Sequence, residues 1–168
     1  MNSFQDVWWQ QAKSDHTIFL LLRHRGVADC HQLHYLQMAS AKIGKAYFWQ
    51  RGVPPPATHT VFVQFLRCLG HVRPQHRDRI AGLFGFRRPQ EFQNWLRVIL
   101  PVAREIERLA PSLANDGPNP EYPSPHSRPT FAPVNYDFTT SMIFGSTGRR
   151  LLCLTEILIE RFPEYANV

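Results

Sequence analysis

The first fifty residues place apolar and polar side chains at the spacing of two α-helices. Residues 3–25 carry apolar side chains mostly at intervals of three and four without an intervening Pro or Gly, which is typical of a helix packed on one face. Ser3, with Asp6 three residues later, predicts a capping box at its start. Residues 29–51 repeat this spacing, with Asp29 as a cap and a glycine and three prolines as a stop. The two segments therefore predict a helical hairpin.

Four further helices are predicted downstream from apolar periodicity and boundary residues. Pro74 and Pro89 lie at the starts of the second and third of these helices and suit a first helical turn. Pro101 predicts a kink or a break inside the third. Ser146 or Thr147 is the predicted cap of the last helix. The predicted ranges are 58–69, 74–84, 88–109 and 146–162.

The stretch before the last predicted helix has a different composition. Residues 115–135 contain six prolines, which exclude a regular helix or a central strand. We therefore predict a Pro-rich loop over residues 113–145. A loop of this length either contacts a ligand or partner, or wraps the bundle while its prolines limit the entropy of the unfolded chain.

No segment shows the clean alternation of a β-strand, and 168 residues suffice for one domain with a real core. We predict an all-α fold, an antiparallel bundle of five or six helices that forms a single domain over residues 1–168. Gly44 costs its helix about 1 kcal/mol relative to Ala, and therefore predicts a close helix contact. Four neighbouring small residues fit the same contact: Ala39, Ser40, Ala41 and Ala46.

The composition argues against a membrane or secreted protein. The longest apolar run, TIFLLL, is too short to cross a bilayer. The N-terminal residues lack the basic start and apolar middle of a signal peptide, so we expect a cytoplasmic protein. Three widely spaced cysteines predict buried thiols and not a disulfide framework.

Metal and nucleophile sites find little support in the residue spacing. Cys30, His31 and His34 lie close together but lack a fourth ligand at a recognisable spacing. Cys68 and His71 lack an orienting third residue for nucleophilic catalysis. We therefore expect neither a metal nor a cofactor.

Positive charge is concentrated in the middle of the chain. Residues 30–90 contain nine Lys and Arg and one acid, Asp78, so this segment has a net charge of +8. The rest of the chain has a net charge of −2, which gives the protein its total of +6. A clustered positive field attracts polyanions and speeds their encounter. A solvated basic surface, or one that meets an acidic protein, is the alternative interpretation.

Three stretches in the N-terminal part share a recognisable pattern: WWQQAKSDHTIFLLL, CHQLHYLQMASAKIGKAYFWQRG and PPPATHTVFVQFL. They resemble the HEPN family of helical nucleotide- and RNA-associated domains, whose helices carry W-x-x-Q-A, Q-A-x-E-K-x-x-K-A and T-H patterns. The glutamate usual before the first lysine is Ala41 here, while the final helix, GRRLLCLTEILIERF, also fits. The resemblance covers residues 1–70 and 145–163. The matched positions are Trp9, Gln11, Ala12, Gln37, Ala39, Lys42, Lys45, Thr58 and His59.

The resemblance implies a helical bundle that is often dimeric. In ribonuclease members, an arginine and a histidine a few residues apart on a late helix act with their dimer mates in metal-independent RNA cleavage. Here the last helix has no such pair, and the one suitable spacing is Arg25 with His31, across the first interhelical turn. A histidine can take the proton of a ribose hydroxyl and an arginine can stabilise phosphorane-like charge, so these two are the candidate catalytic residues. Chance spacing among eight histidines is the alternative.

The basic residues of the central segment are the candidates for nucleic-acid binding. Lys42 and Lys45 are three residues apart and are expected to project together, away from the apolar residues, toward phosphate or solvent. Phe84 and Phe86 precede two arginines and either stack on bases or belong to the core. The candidate nucleic-acid-binding residues are Lys42, Lys45, Arg73, Arg77, Arg79, Arg87 and Arg88.

These observations favour a non-catalytic HEPN-like module that binds RNA or a nucleic-acid-containing partner through the basic central region. The family resemblance further implies that the protein forms a homodimer or binds a partner protein, within a defence or toxin-related assembly. One alternative is a metal-independent ribonuclease that uses Arg25 and His31. The other is a helical scaffold whose basic face meets an acidic protein.

Overall fold

The computed structural model describes residues 1–49, 54–55, 58–114, 119–123, 132–139 and 141–168. Within these ranges the chain forms seven α-helices and no strand, which confirms the prediction of an all-α fold. Short 3₁₀ helices cover Pro74–His76, Pro111–Leu113, Pro133–Asn135 and Met142–Phe144. The α-helices are α1 (Ser3–His24), α2 (Asp29–Phe48), α3 (Val61–Gly70), α4 (Arg77–Leu83), α5 (Pro89–Arg108), α6 (Ser146–Glu160) and α7 (Phe162–Tyr165).

The capping box of α1 begins one residue earlier than predicted. The Asn2 side chain accepts the Gln5 amide N–H at 2.9 Å, and the Gln5 side chain accepts the Asn2 amide N–H at 3.0 Å. Asn2 and Gln5 therefore take the roles that were predicted for Ser3 and Asp6, because these two side chains satisfy both orphan donors at once. Gln5 is fully buried and also donates to the carbonyl of Ala166 at 2.9 Å, which ties the start of α1 to the residues after α7.

Hydrogen bonds tie the start of α1 to the ends of α2 and α6, which is compatible with the predicted antiparallel arrangement. At the start of α1, Asn2 donates to the carbonyl of Trp49, just after α2, at 2.9 Å. Further along α1, the indole of Trp9 donates to the carbonyl of Ile159, near the end of α6, at 2.7 Å.

Among the helices described, none has the length and apolar composition needed to cross a lipid bilayer.

Gly44 lies where α2 meets the start of α3. A Cβ atom at this position would stand 3.0 Å from the carbonyl oxygen of Val61 and 3.1 Å from its carbonyl carbon, closer than ordinary van der Waals contact. Gly44 is buried in α2, so the missing side chain lets the two backbones touch. This confirms the close helix contact predicted from the small residues of α2.

The first turn of α3 is capped by a side chain from another helix. The carboxylate of Glu107, in α5, accepts the amide N–H of Val63 at 2.8 Å. Thr60, the residue before the helix, makes no capping hydrogen bond through its side chain. Since Glu107 already satisfies a donor of this turn, α3 begins at Val61 and not at the predicted residue 58.

Helix α5 continues through Pro101 without a break. Pro101 lies on the exposed side of the helix, so water can reach the carbonyl of Arg97 that lacks its helical donor. The buried residues of α5 lie on the opposite side and pack into the core. Of the kink or break predicted at Pro101, the break is therefore absent, and one long helix spans residues 89–108.

The core around the last two helices is rich in aromatic side chains. Tyr165 is fully buried, and its ring lies 6.1 Å from that of Phe65 and 5.4 Å from that of Phe162. Its hydroxyl donates to the carbonyl of Leu158, which satisfies the one polar atom that the ring buries. Burial raises the pKa of Tyr165 well above its ordinary value. The predicted last helix, residues 146–162, corresponds to α6, and the short helix α7 that follows it was not predicted.

Part of the predicted Pro-rich loop has defined structure. The segment before α6 forms a 3₁₀ helix at Met142–Phe144, where the Ser141 side chain accepts the Ile143 amide N–H at 3.1 Å. Ile143 is buried against α6. Of the other loop residues considered above, those at 115–118 and 124–131 lie outside the described residues, as do residues 50–53 at the predicted end of the second helix.

Replacing Gly148 by Ala is expected to destabilise the fold by about 3 kcal/mol, because overpacking forces the backbone to shift. A Cβ atom at Gly148, in the first turn of α6, would lie 1.9 Å from the carbonyl oxygen of Ile143. The measurement is the free energy of unfolding in urea. Gly82→Ala is the matched control, since a Cβ there meets nothing within 4 Å, and a helical Gly→Ala change stabilises by up to about 1 kcal/mol. Equal stabilities of the two variants would contradict the contact at Gly148.

Stability is expected to fall when the pH drops below the ordinary imidazole pKa of 6.5, because His16 is buried. Only 6% of His16 is exposed, and desolvation lowers its pKa, with partial opposition from Glu156 and Glu160. The folded state therefore binds fewer protons than the unfolded state in this window and loses stability as pH falls. Urea unfolding at about pH 7.5 and about pH 5.5 should show a larger loss for the native chain than for His16→Leu. If the native chain and His16→Leu lost the same amount of stability, the pH dependence would come from a group other than His16.

Candidate nucleic-acid interface

A cavity of about 520 Å³ opens where the end of α2, the end of α3 and the turn before α4 meet residues 167–168. Its walls combine aromatic rings with groups that carry or can acquire positive charge. Phe48 is partly exposed, whereas Tyr47 is buried and its hydroxyl donates to the backbone oxygen of Val168 at 3.0 Å. The lining residues are Tyr47, Phe48, Cys68, His71, Val72, Arg73, His76, Asn167 and Val168.

The turn between α3 and α4 fixes the histidines and the first arginine of this cavity. Nδ1 of His71 lies 2.8 Å from the carbonyl oxygen of Arg67, and because a carbonyl only accepts, this nitrogen carries the proton. Arg73 precedes Pro74, which occupies the first position of a 3₁₀ helix and suits that position because it needs no amide donor. The side chain of Arg73 is exposed beside the cavity.

Two further arginines extend the positive charge along α4. Arg77 donates through Nε to the carbonyl of Val72 at 3.3 Å, and Arg79 donates to the carbonyl of Glu164 at 2.8 Å. Both side chains remain exposed. These bonds hold the guanidinium groups against the protein, so less side-chain entropy is lost when a ligand is bound.

Arg161 bonds to the end of α4 and neutralises the carboxylate of Glu164. It donates to both oxygens of Glu164, at 2.7 and 2.8 Å, and to the carbonyl of Leu83 at 2.9 Å. The hydrogen bond with Arg161 lowers the pKa of Glu164. Because Glu164 is already paired in this way, it competes little with an external anion for Arg79.

Arg87 and Arg88 project from the turn between α4 and α5. Both are exposed, and Arg88 lies 3.7 Å from Glu91, an ion pair with 80% of the arginine side chain accessible. Exposed pairs of this kind contribute little and yield readily to other partners. The two arginines therefore remain available to phosphate.

Phe84 and Phe86 belong to the aromatic core and are not a platform for bases. The Phe84 ring stacks on Phe92 at 5.0 Å, and the Phe86 ring lies 5.6 Å from Phe92 and 5.1 Å from Trp95. Of the two interpretations of these residues, the structure favours the core. The ring that lies beside the basic groups is that of Phe48, which stands far from them in the sequence.

We call the five exposed arginines of residues 71–88 the basic corner. Asp78 is the one acidic residue in this stretch, so the net charge is +4 with both histidines neutral. Such a field steers anions toward the surface and strengthens their binding at low salt. The members of the basic corner are Arg73, Arg77, Arg79, Arg87 and Arg88.

Lys42 does not face solvent as predicted. Its Nζ lies 2.5 Å from an oxygen of Asp15 in α1, and the two side chains are only 15% and 7% exposed. Asp15 also accepts a hydrogen bond from Gln11 at 3.1 Å. This ion pair joins α1 to α2, so Lys42 serves the helix pair.

Lys45 also points toward α1. Its Nζ lies 5.0 Å from the centroid of the Trp8 ring, in a cation–π contact. Burial, followed by the charge of Lys42, lowers the pKa of Lys45. The prediction that both lysines project away from apolar residues is therefore wrong, because the facing surface of α1 offers them a carboxylate and an indole.

Arg25 and His31 flank the turn between α1 and α2, and both are exposed. His31 lines a small cleft with His34 and residues 120–122, and Arg25 is not among the residues lining that cleft. Nδ1 of His34 lies 2.9 Å from a carboxylate oxygen of Glu121. The structure thus places the two candidate catalytic residues near one turn without bringing them into a shared cavity.

No group of three or more His, Cys, Asp or Glu side chains in the described ranges is arranged to hold a metal ion. Cys30 is buried as predicted, but Cys68 and Cys153 are exposed. Both exposed cysteines lie on the outer sides of amphipathic helices, where the apolar neighbours turn inward. The prediction of buried thiols is therefore wrong for these two residues.

Searches of protein-family models, curated proteins and solved structures found no match to this chain.

Proposed function

We propose that this protein is a non-catalytic module that binds single-stranded RNA, or a similar polyanion, at the basic corner. The observation that carries this proposal is the exposure of Arg73, Arg87 and Arg88 on one short stretch of chain, together with the place of Arg73 in the wall of a cavity that holds a partly exposed aromatic ring. Guanidinium groups contact phosphates, and an aromatic ring can stack on an unpaired base.

The shape of the surface favours a single strand over a duplex. The cavity beside Arg73 has a volume of about 520 Å³, large enough to take up a base, and a base is free to enter only where it is not paired. No helix of the described chain presents a row of cations suited to a groove, because the arginines are distributed over α4 and the turns on either side of it. Phosphate contact and base stacking together give affinity with little sequence preference.

The resemblance to the HEPN family agrees with this proposal but does not carry it. Three of the matched positions make contacts within the bundle: Trp9 bonds to α6, Gln37 lies 3.4 Å from His59, and Lys42 pairs with Asp15. These positions therefore account for how the bundle is held together. The same resemblance underlies the proposals of a homodimer or partner protein and of a defence or toxin-related assembly, whereas the proposed cytoplasmic location rests on the apolar and charged composition of the sequence.

The proposal is tested by incubating the purified protein with end-labelled single-stranded RNA in EDTA and running native and denaturing gels. The expected result is a shift on the native gel with intact RNA on the denaturing gel. Cleavage that Arg25→Ala or His31→Ala abolishes would identify a metal-independent ribonuclease and overturn the non-catalytic proposal. Absence of both shift and cleavage would leave the basic corner as a surface for an acidic protein.

A further inference from the structure

A second basic pocket lies at the other end of the α3–α5 pair. The two helices are antiparallel: Gln93, near the start of α5, donates to the carbonyl of Gly70 at the end of α3, whereas Glu107 bonds to the start of α3. The pocket has a volume of about 390 Å³ and lies on the Glu107 side, away from the turns that carry the basic corner. Besides Glu107, its walls include Gln64 and three arginines: Arg67, Arg104 and Arg108.

The three arginines of this pocket have no carboxylate partner within ion-pair distance in the described part of the chain. Arg67 comes from α3, and Arg104 and Arg108 are one turn apart in α5, where residues four apart share a helix face. All three are exposed. Three guanidinium groups around one concavity repel one another unless an anion lies between them.

Glu107 is bound to the backbone of α3 and offsets only part of the positive charge of the pocket. Only 6% of this residue is exposed, and its carboxylate accepts the Val63 amide N–H at 2.8 Å. Burial raises the pKa of Glu107, and the bonds to the first turn of α3 and the nearby Arg104 and Arg67 oppose that rise. The N-terminus of α3 is therefore already occupied by this carboxylate, and the arginines are left to bind an external anion.

We propose that this pocket binds a phosphomonoester, such as a free small phosphate ester or the terminal phosphate of an RNA chain. Three arginines and one carboxylate line the pocket, so it carries a net charge of +2, which matches the roughly −1.5 to −2 of a phosphomonoester at neutral pH. An internal phosphodiester carries a single negative charge and continues on both sides, which suits an open surface better than a pocket. Arginine forks form paired hydrogen bonds with phosphate oxygens, and Gln64 adds a polar side chain at the wall.

The binding is tested by calorimetric titration of the full chain with adenosine 5′-monophosphate, with adenosine as the uncharged comparison. The nucleotide is expected to bind and the nucleoside is not. Arg104→Gln should weaken binding at least about tenfold, since a hydrogen bond between charged groups is lost. Arg97→Gln is the matched control, because Arg97 is two helical turns earlier in α5, exposed and outside the pocket, and should bind as the native chain does. Equal affinities of the two variants would overturn the proposal.

Glu107→Gln supplies a test that a purely structural role would not pass. The glutamine amide oxygen can still accept the Val63 N–H, but the negative charge facing the arginines is gone. We expect tighter binding of adenosine 5′-monophosphate, in a variant that unfolds with the native cooperativity. Unchanged or weaker binding by this folded variant would contradict a site governed by charge.

The source of the phosphate follows from comparing RNA oligonucleotides that differ only at the 5′ end. Tighter binding of 5′-phosphorylated than of 5′-hydroxyl RNA, with the difference lost in Arg104→Gln, would identify a chain terminus as the ligand. Binding of adenosine 5′-monophosphate without that difference would identify a free phosphate ester. Both results support the site, whereas failure of both ligands would overturn it. Reversing the basic corner should leave nucleotide binding intact, so the two sites can fail separately.

Discussion

Arg73→Glu combined with Arg87→Glu and Arg88→Glu is expected to weaken the binding of single-stranded RNA by at least about a hundredfold at about 50 mM salt. Each change removes an attraction to phosphate and adds a repulsion, so the effects accumulate along the bound strand. Within the described residues, Arg73 and Arg87 have no side-chain hydrogen bond or ion pair, and Arg88 has only the 3.7 Å contact with Glu91. The fold should therefore be unaffected. Fluorescence anisotropy with a labelled oligonucleotide gives the affinity.

The matched control makes the same change of net charge at three arginines elsewhere in the protein. Arg97, Arg149 and Arg150 are exposed and lie in α5 and α6. Replacing all three by glutamate also changes the net charge from +6 to zero. If the basic corner is the binding surface, this control retains most of the affinity. Equal losses in both variants would mean that RNA responds to net charge and not to a site.

Lys42→Met is expected to destabilise the protein by about 3–5 kcal/mol, because it leaves the carboxylate of Asp15 buried without its cation. The Lys42 and Asp15 side chains are 15% and 7% exposed, and they lie in facing helices. A loss of this size is a large part of the stability of an ordinary domain. The free energy of unfolding in urea gives the result directly.

The double replacement Lys42→Met with Asp15→Leu separates the cost of an unpaired charge from the value of the pair. Removing both partners of a buried ion pair is often neutral or stabilising, so we expect the double variant to recover most of the loss. A single variant as stable as the native chain would show that Asp15 reaches water. A double variant no better than the single one would show that packing, and not charge, holds this position.

The helices themselves were largely predictable, because they depend on local signals. Apolar spacing located α1, α2 and α5 within a few residues, and Gly44 predicted a close contact that the backbone of Val61 provides. The misplaced boundaries were those decided by distant groups. Glu107 caps α3 from 44 residues away, and Gln5 replaces the predicted capping residue while bonding to Ala166. A single sequence does not reveal which side chain of another helix arrives at a given helix end.

The candidate site was predicted only in part, for the same reason. The arginines of residues 73–88 lie within one short stretch of sequence, so the concentration of positive charge there can be predicted without a structure. The role of Lys42 depends on Asp15 in another helix, and the cavity joins Phe48 to residues 71–76 and 167–168. The pocket of Arg67, Arg104 and Arg108 is likewise assembled from α3 and α5. The sequence alone does not show that these arginines are neighbours, because about forty residues separate Arg67 from Arg104 and Arg108.

The most direct measurement of the central claim is the affinity of the native chain for single-stranded RNA as a function of salt. If the basic corner engages several phosphates, the logarithm of the binding constant should fall linearly with the logarithm of salt concentration, with a slope of about −0.7 per phosphate contacted. Contacts by most of the five arginines therefore predict a slope steeper than about −2. A slope near zero, or no binding at about 50 mM salt, would contradict a polyanion-binding function.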